Sequence, residues 1–335
     1  MRILVWYMHG GWANGFLSGA HEYLVPVAPG QESPPLPAGA RAVPLAQLRE
    51  EQVDIVVLQR LEEFGPVIEH LGCTPGRDIP AVFVEHNTPK MFPVTERHPL
   101  ADDLVTIVHV THFNQLVWDC GRATTRVVEH GVPDPGQLYT GELPALGVVI
   151  NEPVRRWRVT GTDLLPGFAE VAPVDAFGIA TDLLPAALPG SAVRAVGDLP
   201  TARMHAELAR RRAYLHPFRW TSLGLSLLEA MHLGMPVLAL ATTEAHRAVP
   251  PEAGAISTDI GELRSAAARL IDDPEEARRR GSNARAFVLE HFSLQRFLDA
   301  WDALLHDELD TFAARRNRTA NHRHQAHHTS EGANR

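Results

Sequence analysis

Between Ala213 and Glu244 the chain reads AYLHPFRWTSLGLSLLEAMHLGMPVLALATTE, and this stretch holds the residues best spaced for chemistry. Gly224 stands where a helix pattern begins, with Leu225, Leu228 and Met231 recurring at the interval of one buried face. A helix start carries unpaired amides and about half a positive charge, so the amides around Leu223, Gly224 and Leu225 suit an anion such as phosphate. Glu229 lies a little over one turn further on. A carboxylate there can accept hydrogen bonds from the neighbouring hydroxyls of a sugar while the amides hold phosphates. The same spacing, Ser226-x-x-Glu229, also fits a capping box that needs no ligand.

A second group is cationic. Arg155, Arg156 and Arg158 crowd into four positions directly after a strand-like run, Gly147–Ile150, in a chain of formal charge −9. Guanidinium groups grip phosphate bidentately, each charge-assisted pair contributing roughly 1.5–3 kcal/mol; the plainer alternative is a solvated basic loop. A third group consists of histidines that end strands. His86, His112 and His130 follow the runs Pro80–Val84, Leu104–Val110 and Arg126–Glu129. Ligands of parallel sheets collect at such carboxyl ends, so the three are expected around one cleft, although each also suits a hydrogen-bonded structural role. A zinc site built from them is disfavoured, because neither cysteine partners nor an H-E-x-x-H helix accompanies them. Asp198, after Gly197, can read a base edge or cap a turn before Pro200.

The elements that must position these residues follow from punctuation. Pro217 ends the apolar run Ala213–Leu215; Gly234 suits the position past a helix, Pro236 forbids more helix, and Val237–Leu240 reads as a buried strand. The order is strand, turn, helix, strand. Elsewhere Arg2–Met8, Val53–Leu58, Asp175–Ile179 and Ala192–Val196 are further strand candidates. A glycine-spaced loop is expected over His9–Gly19, with Gly10 and Gly11 letting backbone approach a ligand, then a helix near His21–Val25 and a proline-rich surface connection over Pro26–Pro44. Short apolar strands alternating with helical segments predict parallel sheets covered on both faces. Asp259, Asp273 and Ser293 are placed to cap the closing helices, the last with an apolar stripe of Leu294, Phe297, Leu298, Trp301, Leu304 and Leu305.

With 335 residues the chain is long for one core and comfortable for two domains. Its 45% hydrophobic and 21% charged content is that of a soluble globular protein, and the net charge of −9 disfavours nucleic acid as main partner. Lys90 is the only lysine. Cys73 and Cys120 have neither metal nor redox spacing. The start, MRILVWYM, is too short and wrongly flanked for a signal peptide or membrane span, so a cytoplasmic location is expected. The sequence has no Walker loop, no G-x-S-x-G elbow and no Asp-x-Asp metal clamp.

Pro217, Gly224, Leu225, Glu229, Ala230, Met231, Gly234, Pro236 and Val237 fall in register with a known motif. The chain resembles the retaining glycosyltransferases of family 4 (glycosyl transferases group 1, GT-B fold) over Met1 to about Leu309, most strongly from Tyr214 to Val237. In that family a glutamate precedes the second one by eight positions; here that place holds Thr221. The resemblance implies an α/β GT-B architecture of two Rossmann-like domains, 1–144 on the acceptor side and 145–292 for the donor. A brace helix at 293–315 and a disordered His-rich tail at 316–335 would follow.

The resemblance further implies transfer of a sugar from a UDP- or GDP-linked donor, with retention and without a metal ion or cofactor. The acceptor is an unidentified small molecule, glycan or lipid-linked group. Thr221 takes the position beside the transferred sugar, and His86 the position near sugar and acceptor. Gly10-Gly11, with Gly19 as the rival register, faces the diphosphate and the acceptor; Arg155 or Arg156 holds the diphosphate, and Arg158, or no residue, takes the place of the family's lysine. Asp198 follows the strand near the base, and Glu229 holds the ribose. Two other readings are a non-catalytic nucleotide-sugar-binding protein, prompted by Thr221, and a nucleotide-sugar epimerase.

Overall fold

The computed structural model describes residues 1–331, with side chains described to Arg318. Seven strands form a first, wholly parallel sheet: β1 (Arg2–Val5), β2 (Glu22–Val27), β3 (Ala40–Pro44), β4 (Ile55–Leu58), β5 (Ala81–Glu85), β6 (Thr106–His109) and β7 (Thr125–Val127). Their order is β3-β2-β1-β4-β5-β6-β7. The second sheet has β8 (Leu143–Val149), β9 (Val174–Phe177), β10 (Val193–Gly197), β11 (Arg211–His216), β12 (Val237–Leu240) and β13 (Gly254–Ser257). It is also parallel, in the order β10-β9-β8-β11-β12-β13. Apolar, β-branched runs such as Ile55-Val56-Val57-Leu58 are fully buried because helices and loops cover both faces. The strand order reverses between β1 and β4 and again between β8 and β11. Crevices open at the carboxyl ends beside such reversals.

Local chemistry sets the helix ends. Gly234 terminates the helix Leu225–Leu233 with φ 88°, a left-handed conformation that costs other residues steric energy. Asp259 and Asp273 accept first-turn amides of the helices Ile260–Asp272 and Pro274–His291. The last helix, Leu294–Glu331, starts beside Ser293 and lays Phe297, Trp301, Leu304 and Leu305 into the core of the first sheet. The ring of Trp301 stands 5.0 Å from Phe16 and 5.8 Å from Trp12. Truncating so buried an indole costs about 3–5 kcal/mol, so the end of the chain is structural to its beginning.

Four expectations are corrected. The segment His9–Gly19 is not all loop: Gly10–Phe16 is a helix, because Trp12, Ala13 and Phe16 are buried and packing outweighs two poor helix formers. The predicted helix near His21–Val25 is strand β2. Pro26 is tolerated there because β1 pairs only with Glu22, Tyr23 and Leu24, leaving that side of Pro26 without a partner. The proline-rich connection ends in a strand, β3, and Gly254–Ser257 adds another at the far edge of the second sheet. The last helix continues past Arg316, where a disordered tail was expected, since neither Pro nor Gly occurs between 316 and 331. The side chains of His322, His324, His327 and His328 and residues 332–335 lie outside the described residues. Among the described residues no helix is long and apolar enough to cross a membrane.

Candidate active site

A cleft of about 670 Å³ lies between the sheets. Residues that follow β1, β5, β8 and β11 line it: His9, His86, Glu152 with Arg155 and Arg156, and Trp220 to Ser222. Both reversals of strand order thus open into one space.

On the first-domain wall, His86 follows β5. Its Nε2 is 3.0 Å from Gln59 Oε1, while Gln59 Nε2 donates to Trp6 O at 2.7 Å. With the amide nitrogen committed, Gln59 presents its oxygen and His86 carries its proton on Nε2, leaving the Nδ1 lone pair for another partner. Burial, with His9 and His130 nearby, holds His86 well below the ordinary 6.5, so the ring is neutral at pH 7. The ring of His9 lies 4.3 Å from it, and Trp12 meets it edge-on at 5.1 Å. His130 is buried behind this group, and burial lowers it to about 4. His112 does not join them. It is an exposed first-turn residue of the helix His112–Val117, whose cap, Thr111, turns the following side chain outward.

Asn87, Thr88 and Lys90 complete this wall. Their side chains form no hydrogen bond or close ion pair among the described residues. The backbone beneath is fixed, because Asn87 O accepts from Asn114 Nδ2 at 3.2 Å and Trp118 Nε1 at 2.8 Å. None of the three stood out from local spacing, although Lys90, as the sole lysine, was the one available signal.

The second-domain wall carries the arginines. The helix Pro153–Thr160 is broken at Trp157, with φ 30° and ψ −93°, a strained conformation for a bulky residue. The break interrupts the helical period between Arg156 and Arg158. Arg155 and Arg156 line the cleft, whereas Arg158 reaches Asp163 Oδ2 at 3.2 Å outside it. Arg155 Nε donates to Glu152 Oε1 at 2.9 Å. The Arg156 guanidinium is half-buried and makes no hydrogen bond or close ion pair among the described residues; burial, then the charge of Arg155, lowers its pKa, and the charge of Glu152 opposes them. Gly161 closes the turn at φ 72°, and a Cβ there would stand 1.9 Å from Pro217 O, so glycine lets this helix meet the loop after β11.

That loop seams the two walls. Trp220 Nε1 donates to Pro89 O and Ser222 Oγ to His86 O, each at 2.8 Å. Thr221 and Ser222 face the cleft, while Leu223 is buried in the second-domain core. Gly224 caps the helix Leu225–Leu233 without a side chain. The capping box is therefore absent: Ser226 lies inside the helix, its Oγ 2.9 Å from Tyr214 Oη. Across the gap, a Cβ on Gly11 would stand 2.9 Å from Leu225 Cδ1. Gly10 and Gly11 thus open the first-domain helix opposite the start of the second-domain one. Glu229 has an 18% exposed side chain, and its Oε2 lies 3.5 Å from His205 Nε2. Neither Glu229 nor the exposed Asp198 lines the cleft. Among the described residues, no group of three or more His, Cys, Asp and Glu side chains is arranged to hold a metal ion.

Residues 182–287 match the family model of the glycosyl transferases group 1. No curated protein matches the chain. Among solved structures, sucrose-phosphate synthase from Thermosynechococcus elongatus superposes with a TM-score of 0.71 at 14% identity, over 94% of this chain and 100% of that one. HepE from Anabaena, in complex with UDP, gives 0.66 at 13% identity over 92% and 100%. A glycosyltransferase from Rickettsia africae gives 0.65 at 12% over 92% and 98%. The fold is GT-B: two parallel-sheet Rossmann-like domains facing one another.

Proposed function

We propose that the protein is a cytoplasmic, retaining glycosyltransferase that moves a sugar from a UDP- or GDP-linked donor to an acceptor hydroxyl without a metal ion or cofactor. The observation that carries this is the unpaired, half-buried Arg156 in a cleft built from the carboxyl ends of both sheets. A guanidinium with no bonded counter-ion there, offset only by the Glu152 charge at longer range, fits an anionic ligand. The match of 182–287 to the glycosyl transferases group 1 and the UDP complex of HepE support the same donor class.

In this mechanism Arg155, Arg156, Lys90 and the amides of Leu223 to Leu225 hold the diphosphate, with Gly10 and Gly11 giving it room. Glu229 holds the ribose after a small shift away from His205. As the bond between the anomeric carbon and the diphosphate oxygen breaks, positive charge grows on the sugar ring and negative charge on the leaving group. The fixed cations and amides stabilise the latter, an effect that is often the largest part of catalysis. The acceptor oxygen bonds to the anomeric carbon on the face the diphosphate leaves, and its proton passes to a departing phosphate oxygen. His86, neutral and with Nδ1 free, orients the sugar or acceptor hydroxyl; Thr221 offers a hydroxyl beside the same sugar. Approach of the two walls excludes water, which otherwise hydrolyses the donor.

The presence of Thr221 where relatives carry a glutamate favours a second reading, a nucleotide-sugar binder without turnover. Incubation with a panel of nucleotide sugars and acceptors, read by melting temperature and mass spectrometry, separates the possibilities. Release of nucleoside diphosphate with glycosylated acceptor is expected. A thermal shift without product assigns a binder, altered donor stereochemistry without acceptor assigns an epimerase, and no response to any donor overturns the proposal.

A further inference from the structure

A second cavity, of about 200 Å³, adjoins the cleft and shares Asn87, Thr88 and Lys90 with it. Beside His98, its other walls are of two kinds. Leu61, Phe83, Pro99 and Trp118 are apolar or aromatic, and Glu85 and Glu96 are carboxylates. Glu85 is 9% exposed. Its Oε1 accepts Asn87 N at 2.7 Å and its Oε2 lies 3.2 Å from His98 Nε2. Because His98 Nδ1 accepts Leu100 N at 3.1 Å, the imidazole proton sits on Nε2 and points at the carboxylate. The rings of Phe83 and Trp118 pack on His98 at 5.5 and 5.1 Å, which holds this pair in place. Each Glu85 oxygen keeps acceptor capacity, and the Thr88 hydroxyl and Asn87 amide stand between it and the cleft.

We infer that this cavity is the acceptor subsite and that it takes an uncharged hydroxylated ring, a pyranoside or cyclitol, whose reacting hydroxyl emerges past Thr88 beside His86. The inference rests on the transferase reading above and adds the acceptor's chemical class. A sugar ring has apolar C–H faces that suit the aromatic and aliphatic walls, and edge hydroxyls that donate to a fixed carboxylate. Glu85, with one protein donor on each oxygen and capacity for more, favours a ligand that brings hydroxyls over one with none to offer. A phosphorylated ring would set its charge against two carboxylates, Glu85 and Glu96, with Lys90 alone among the lining residues to offset them. A long alkyl chain would offer nothing to the spare acceptor capacity of Glu85, while Glu96 is already held by the backbone amides of Lys90, Met91 and Phe92.

The test uses the full chain. Titration with methyl α-glucopyranoside, methyl α-mannopyranoside and inositol is followed by the Trp118 fluorescence, isolated as the difference between the protein and its Trp118→Phe variant. A saturable response to at least one of these, and none to glucose 6-phosphate or octanol at equal concentration, is expected without any donor. In transfer assays, Thr88→Val and Leu61→Trp should raise acceptor KM at least tenfold while the affinity for UDP or GDP stays within twofold. Leu61 is 40% exposed, so the bulkier side chain blocks the mouth without entering the core. Donor binding accompanied by a silent Trp118, by transfer only to phosphorylated or long-chain acceptors, or by an unchanged KM in both variants overturns the inference. Failure to bind any donor sinks the transferase reading instead, and the fluorescence titration then decides the subsite alone.

Discussion

The two walls of the cleft are built on opposite plans. The second-domain wall holds its groups by pairing: Arg155 leans on Glu152 and Ser222 is spent on His86 O, while outside the cleft Arg219 and Arg158 share Asp163. Arg156 is its one uncommitted cation among the described residues lining the cleft. The first-domain wall is neutral His86 plus uncommitted Asn87 and Thr88 over a rigid backbone, with Lys90 the one group it lends to the proposed diphosphate grip. A grip for one invariant charged group needs fixed dipoles and cations, whereas a surface for a variable polyol needs side chains free to choose partners. On the proposed function, the second half grips the invariant group and the first selects what receives the sugar.

Acid should break the contrast most severely. Burial lowers His109 to about 3 and His130 to about 4 in the first domain, and His216 to about 3 in the second. Their folded pKa values lie below the unfolded value near 6.5, so below that pH the unfolded chain binds more protons. Stability is therefore full above about pH 6.5 and is lost as pH falls toward 3–4. The loss is on the order of 1.4 kcal/mol per pH unit for each histidine. Urea melts at pH 7.5 and 5.5 should differ clearly in midpoint, and hydrogen exchange at pH 5.5 should open the first sheet before the second. Coincident opening would show that the histidines do not distinguish the halves.

Next in size is Arg156→Ala, which should weaken UDP or GDP binding by roughly 10- to 100-fold, the effect of losing about 1.5–3 kcal/mol of charge-assisted contact. Calorimetry measures it, and an affinity within twofold of the original removes the second-domain grip from the account. Glu229→Gln should cost about tenfold for a ribonucleoside diphosphate, near 1.4 kcal/mol, but little for its 2′,3′-dideoxy analogue. Equal losses for both ligands would take Glu229 off the ribose. The smallest effect belongs to Arg158→Ala. Its side chain is 72% exposed and paired to Asp163 at the surface, so donor affinity should hold and stability should move by no more than a few tenths of a kcal/mol.

The same contrast explains what could be read ahead of the coordinates. The β11–helix–β12 unit is local: Pro217, Gly224, Gly234 and Pro236 punctuate it within twenty residues, and each punctuation has a backbone cause. Most strands were legible for a similar reason, since burial on both faces demands uninterrupted apolar runs. The separation of Arg156 from Arg158 was not, because it turns on one strained residue, Trp157, which no local pattern marks. Nor were Asn87, Thr88 and Trp220, polar or aromatic residues in loops without period, which meet only when the two sheets come together. His9 entered as a neighbour of two glycines and proved to be the ring packed on His86.

The chain passes from one half to the other twice, after β7 and again at Ser293, and the two passages touch: Val132 N donates to Phe292 O at 3.2 Å. There is no room to spare at that point, since a Cβ on Gly131 would lie 2.3 Å from Phe297 Cβ. The two crossings pin the halves at one place, and Trp220, Ser222 and Glu244 bond the first domain at others, so the facing of the walls is set by both main chain and side chains.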